Sequence, residues 1–131
     1  MQILGTGVDI VENSRINRSL KNKSFIDRIF TTSEISHSKT VKDKSAYYAK
    51  RFASKEAFAK AIGTGFRNDL SFKDISIINN KLGKPSFVIN EKIKRIINKR
   101  FKITSFNFFL SISDEKKYSI AFVILQKKND K

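Results

Sequence analysis

The 131-residue chain has no cysteine, no tryptophan, one proline, one methionine and one histidine. Without cysteine there is no disulfide framework, no thiolate zinc or iron–sulfur site and no cysteine nucleophile. With His37 as the sole imidazole, any site that needs two histidines is excluded, and serine–histidine chemistry would rest on that residue alone. Long apolar runs are also missing. None approaches the roughly 20 residues of a membrane helix, and the stretch 3–11 carries Asp9 and lacks a basic leader. The expectation is a soluble, cytoplasmic protein with no membrane partner. Acidic residues are scarce too, with 12 Asp plus Glu against 27 Lys plus Arg and a net charge of +15. Such a surplus attracts acidic partners, but drift in the base composition of a genome also enriches Lys, Asn and Ile. Charge alone therefore names no partner.

What is present is enough for a core. Hydrophobic residues make up 40% of the chain, with 12 Phe and isoleucine strings at Ile75, Ile77, Ile78 and at Ile93, Ile96, Ile97. A disordered chain of this charge would lack them. No repeat or linker divides the sequence, so one domain spanning 1–131 is expected.

Residues 2–11 read as a strand with Gly5, Gly7 and Asp9 on one face and Leu4, Val8 and Ile10 on the other, and the glycines predict room for a ligand beside Asp9. Asn13 or Ser14 is expected to cap a short helix carrying Arg15, Ile16 and Leu20. Phe25, Ile26, Ile29 and Phe30 continue in helical spacing until Thr31, Thr32 and Ser33 interrupt. A long helix over 45–62 buries Tyr48, Phe52, Ala59 and Ile62, places Glu56 at the margin of that stripe, and ends at Gly63-Thr64-Gly65. Residues 72–79 and 86–89 form a hairpin through Leu82-Gly83-Lys84-Pro85, 91–101 a basic amphipathic helix, and 106–112 with 118–125 a closing hairpin. The fold class is α+β, with antiparallel strands packed around one long helix.

Three groups of residues carry candidate chemistry. Asp9 and Glu56 are hard oxygen ligands that suit a divalent cation if the fold brings them together. The plainer reading pairs Glu56 with Lys60 for about 0.3–0.5 kcal/mol, and spacing alone favours it. Lys55, Lys60, Lys84 and the Gly63-Thr64-Gly65 turn are a candidate phosphate set, since glycine bares backbone N–H groups and lysine neutralises phosphate oxygens. No P-loop or dinucleotide glycine pattern accompanies them, and a helix stop with solvated lysines is the commoner cause of such a set. Arg15, Arg18, Lys21, Lys23 and Arg28 form an electropositive group suited to an acidic partner, or simply a solvated helix face. An alternative reading is a small basic RNA-binding module stacking bases on Phe106, Phe108 and Phe109. Against it, Phe106 and Phe108 share the face a core would use, and no RNP or KH signature is present. A third reading sets the 91–101 helix on acidic surfaces or membranes.

Four strings in order are more specific than any of these parts. They are Gly5-Thr6-Gly7-Val8-Asp9-Ile10-Val11-Glu12 with Arg15-Ile16; residues 51–65, Arg51-Phe52-Ala53-Ser54-Lys55-Glu56-Ala57-Phe58-Ala59-Lys60-Ala61-Ile62-Gly63-Thr64-Gly65; Leu82-Gly83-Lys84-Pro85; and Ser111-Ile112-Ser113-Asp114-Glu115 with Tyr118 and Ala121. In them the sequence resembles the holo-acyl carrier protein synthases, the small bacterial group of 4′-phosphopantetheinyl transferases.

The resemblance implies that family's fold and a magnesium- or manganese-dependent transfer of 4′-phosphopantetheine from coenzyme A to a serine of an apo acyl carrier protein, releasing 3′,5′-adenosine bisphosphate. The carrier is that of fatty-acid synthesis or of another pathway. The resemblance also implies a homotrimer with each active site built across a subunit interface, and no nucleic-acid partner. Asp9 and Glu56 match the family's metal ligands. Lys60 and the turn Gly63-Thr64-Gly65 match coenzyme A phosphate contacts, and Lys84 with Pro85 serves the same ligand. Arg15 matches a carrier-docking arginine, with Arg18, Lys21 and Arg28 extending the patch. Two positions depart from the family pattern: Phe109 and Asp114 stand where many members carry histidine, so no motif histidine is available as base. That role passes to metal-bound water or a carboxylate, and His37 is expected at the surface.

Overall fold

The computed structural model describes residues 2–67 and 69–129. Its centre is helix α4 (Lys44–Ile62), and the local reasons for that helix are plain. The Asp43 side chain accepts the Ala46 N–H at 3.0 Å, no β-branched residue occurs before Ile62, and Gly63 closes the helix at φ +93°, donating its N–H to the Ala59 carbonyl at 3.1 Å. Thirteen of its residues are buried, so it runs through the protein interior rather than along the surface.

Strands β1 (Gln2–Glu12), β4 (Phe106–Asp114) and β5 (Tyr118–Lys127) form an antiparallel sheet in the order β1-β5-β4. A Cβ added at Gly5 or Gly7 would lie 1.9 Å from the carbonyl oxygen of Ala61 or Ala57, so β1 rests directly on the α4 backbone. This corrects the expectation of ligand space beside Asp9: the room the glycines leave is filled by the helix. Asp9 lies opposite Ala121, on the strand face that also carries Gly7 and Val11 and looks toward α4. The opposite sheet face is apolar and uncovered, with Val8, Ile10, Phe109, Ile120 and Phe122 all at least 37% exposed.

The second sheet is the hairpin β2 (Ser76–Asn79) and β3 (Pro85–Val88). Its first strand starts later than expected, because Ser71 and Asp74 cap a single 3₁₀ turn over Phe72–Asp74. Phe87 meets Phe58 edge-on at 4.7 Å, joining the hairpin to α4. Helix α5 (Glu91–Phe101) has the expected bounds and buries Ile93 and Ile97.

Two local readings are corrected. Asn13 does not cap α1 (Asn13–Ser19); it is the first helical residue, buried, and its amide donates to the carbonyls of Glu115 at 3.0 Å and Lys116 at 3.2 Å while its oxygen accepts from Ser119 at 2.7 Å. Helix α2 (Lys23–Ile29) ends before the threonines, as expected, but the threonines at 31 and 32 then open a further helix rather than a loop. Thr31 and Glu34 form a reciprocal capping box at the start of α3 (Thr32–Ser38). No helix among the described residues is long and apolar enough to cross a membrane.

Candidate active site

Asp9 and Glu56 reach one place from β1 and α4. Burial pushes both carboxyls above their ordinary range, and the negative charge of Asp9 adds to the rise at Glu56. Lys60, one turn beyond Glu56, turns to the strand, donating to the Val8 carbonyl at 2.9 Å and to Asp9 Oδ1 at 3.3 Å. The ion pair that forms is therefore Lys60 with Asp9, not Lys60 with Glu56. Arg15 on α1 is close enough to offset the rise at both acids. Two half-buried carboxylates of raised proton affinity, one of them raised further by the charge of the other, are a ready host for positive charge. Among the described residues no third histidine, cysteine or acid completes a metal cluster. A cation here would draw its remaining ligands from water and from substrate phosphates, which is how magnesium usually binds.

Lys55 is corrected as a member of the candidate phosphate set, and with it as a contact to coenzyme A. Its side chain is fully buried, donating to Glu34 Oε1 at 2.6 Å and to the carbonyls of Ile29 at 2.8 Å and Phe72 at 3.2 Å. Glu34 in turn accepts from the backbone N–H of Thr31 and of Ile77, each at 3.0 Å. Burial lowers the Lys55 pKa and Glu34 opposes the shift. No ligand can reach the ammonium. The Thr31-x-x-Glu34 spacing was the only sequence signal that Glu34 had a structural task.

The glycine turn is also less free than expected. The N–H groups of Gly63 and Gly65 both donate to the Ala59 carbonyl, at 3.1 and 3.3 Å, so they close the helix instead of lying bare for phosphate. Arg100 Nε adds a bond to the Ile62 carbonyl at 2.8 Å. Thr64 and the exposed Lys60 remain available from that set.

Sequence reasoning gave no role to Arg51, although it quoted the residue. Its side chain is only 5% exposed and lines a cleft of about 290 Å³ together with His37, Lys50, Asn79, Pro85 and Asp114. One terminal nitrogen donates to Asn79 Oδ1 at 2.8 Å, the guanidinium carbon lies 3.9 Å from the Tyr47 ring centre, and Nε is buried without a hydrogen-bond partner among the described residues. Burial lowers the Arg51 pKa. A largely desolvated arginine lining a cleft is suited to an anion. Pro85 and Gly83 line the same cleft, and Lys84 is exposed on the turn between them. His37 is exposed, as expected, but at this cleft, with its ring 5.7 Å from that of Tyr47.

The predicted set thus divides in two. Arg51 and Glu56 are five residues apart on α4, which separates them by roughly 140° around the helix and about 7.5 Å along it. Arg15, Arg18, Lys21 and Arg28 are all exposed over α1, the following turn and α2. The three phenylalanines do not form an RNA-stacking surface: Phe108 stacks on Phe58 at 4.2 Å and Phe106 meets Phe108 at 5.8 Å, and of the three Phe109 is the one exposed, on the outer face.

Comparison with known proteins gives a consistent result. The family model described as the 4′-phosphopantetheinyl transferase superfamily matches residues 5–123. A holo-[acyl-carrier-protein] synthase of Pelagibacter ubique is 70% identical over 128 residues, covering 98% of this chain and 100% of that protein. The crystal structure of the corresponding synthase from Neisseria meningitidis superposes with a TM-score of 0.86 at 40% identity, covering 95% of this chain and 99% of that one. A synthase from Bacillus anthracis in complex with CoA (3′,5′-ADP) superposes with a TM-score of 0.81 at 35% identity over 98% of this chain and 100% of that chain.

Proposed function

Because the chain belongs to the 4′-phosphopantetheinyl transferase superfamily as a holo-[acyl-carrier-protein] synthase, we propose that it catalyses magnesium-dependent transfer of phosphopantetheine at the Asp9–Glu56 pair. The serine oxygen of the carrier forms a bond to the β-phosphorus of coenzyme A, the bond from that phosphorus to 3′,5′-adenosine bisphosphate breaks, and the serine proton leaves to a water or carboxylate oxygen at the pair. No protein nucleophile is needed, so the lack of cysteine and of paired histidines is no obstacle.

The observation that carries this reading is the meeting of two half-buried carboxylates of raised proton affinity with Lys60 beside them. Magnesium or manganese held by Asp9 and Glu56 would supply positive charge to the pyrophosphate. Lys60 supplies a flexible second cation to the same oxygens, and its exposure lets it move from Asp9 to the substrate. Arg51 offers the positive charge of the guanidinium that lines the hairpin cleft to another phosphate of coenzyme A, where Pro85 forms part of the wall and Lys84 stands at the rim. Arg15, with Arg18, Lys21 and Arg28 beyond it, receives the acidic face of the carrier, and its nearness to both carboxylates sets docking beside the chemistry. Coenzyme A and carrier both belong to the cytoplasm, which is the compartment the reading implies.

Arg51 and Glu56 point different ways from one helix, and the outer sheet face is apolar. Both features fit a homotrimer in which one subunit supplies the Asp9–Glu56 pair and its neighbour supplies the Arg51 cleft. Phe122→Glu, in the middle of that face, is expected to shift the sedimentation coefficient from trimer to monomer and to remove transfer with it. A monomeric variant of normal activity would refute the shared site. The reaction is tested by mass spectrometry of an apo acyl carrier protein incubated with this protein, coenzyme A and magnesium. The expected result is a gain of one phosphopantetheine; an unchanged carrier mass would overturn the assignment.

A further inference from the structure

A third basic place belongs to neither of the two already described. Between α5, the turn after α4 and the loop at 67 and 69 lies a cleft of about 750 Å³, lined by Arg67, Arg95, Ile96, Lys99 and Arg100 together with Thr64, Asp69 and Lys92. Positions 92, 95, 96, 99 and 100 recur at i, i+3, i+4, i+7 and i+8, so they form one stripe of α5 while Ile93 and Ile97 enter the core on the other side. The size is that of a small-molecule site, for which about 300–1,000 Å³ is usual.

Its charges are unequally engaged. Lys92 pairs with Asp74 at 2.9 Å, and Arg100 holds the Ile62 carbonyl. Arg67, Arg95 and Lys99 take part in no ion pair among the described residues. Three unneutralised cations converge on one concave surface with a single carboxylate in its lining, and two of them are arginines, whose forked N–H groups match phosphate oxygens two at a time. Ile96 is the apolar residue in that lining. A protein surface would need a flatter patch, and a lone carboxylate would satisfy only one of the three cations.

We propose that this cleft binds a compact anion carrying two linked phosphates, separately from coenzyme A. The cleft touches Thr64, which also stands in the coenzyme A set, so the test must separate the two ligands. Inorganic pyrophosphate is titrated calorimetrically into the full chain already saturated with coenzyme A, in divalent-free buffer at about 0.15 M salt, where diffuse surface attraction is screened. One pyrophosphate per chain is expected to bind. The double substitution Arg95→Glu, Lys99→Glu is expected to weaken it at least tenfold while the KM for coenzyme A and the transfer rate stay within twofold of the parent. Unchanged pyrophosphate affinity in the double variant would overturn the proposal. So would binding to the free chain that vanishes once coenzyme A is bound, since the cleft would then belong to the coenzyme. In that event the transferase reading still stands, because its own test is the mass of the carrier.

Discussion

Asp9→Asn and Glu56→Gln are each expected to lower phosphopantetheine transfer by at least about 100-fold while leaving the protein folded. The chemical reason is that charge accumulates on phosphate oxygens as the pyrophosphate bond breaks, and the two acids together organise the positive charge opposing it. The double variant should be little worse than either single one, since both residues act through one centre.

A stability readout separates this from general damage. Both carboxyls are raised above their ordinary values by burial, and Glu56 further by Asp9, so the folded chain holds protons more readily than the unfolded one. Keeping the pair ionised therefore destabilises the fold above the folded-state pKa values. That penalty is relieved as pH falls through the raised values toward the ordinary carboxylate range. The amide variants should be as stable as the parent or more so at neutral pH, and this difference should close on acidification. The lost contact between Asp9 and a half-exposed Lys60 offsets little of the gain. Magnesium should raise the Tm of the parent and leave that of the variants unmoved. Ordinary transfer by either folded variant, or an equal magnesium response in all of them, would refute the shared centre.

The largest loss of stability is expected from Lys55→Met. It removes the counter-charge of Glu34, whose side chain, like that of Lys55, is fully buried, and breaking one partner of such a pair costs about 3–5 kcal/mol. Glu34→Gln should be less severe, because the amide oxygen can still accept one of the bonds from the Thr31 and Ile77 N–H groups. The double variant Glu34→Leu, Lys55→Met should be destabilised by less than the sum of its parts, since no charge is left unpaired. It should not return to the parent, because the carbonyls of Ile29 and Phe72 and the two N–H groups all lose partners. Denaturant midpoints check the series. A parent-like midpoint for Lys55→Met would mean that water reaches the ammonium, contrary to its burial.

This pair also marks where sequence reading stops. Elements governed by neighbours a few residues away were legible. The alternation of β4 and β5, the isoleucine spacing of α5 and the glycine stop of α4 each depend on local periodicity or backbone freedom, and each is found where expected. The ordered strings around Asp9 and Glu56 were legible as well, because a site keeps its residue types and spacing even when spacing cannot show that they meet. What the residues themselves could not disclose were choices made by packing. Gly5 and Gly7 fit open ligand space and close helix contact equally well, and only the approach of α4 decides for contact. Lys55 and Lys60 are both lysines one turn or less from Glu56. The rotation of α4 buries the first against an acid 21 residues earlier and leaves the second at the surface beside Asp9. Arg51 was given no role because, although Tyr47 one helical turn earlier lies under it, nothing local places Asn79 beside it or the hairpin cleft around it. Helix and strand identity, and the kinds of residue that carry the chemistry, were set by the sequence. Which charges face a ligand and which stay inside was decided by tertiary structure, because burial depends on partners that only the complete fold brings within a few ångströms.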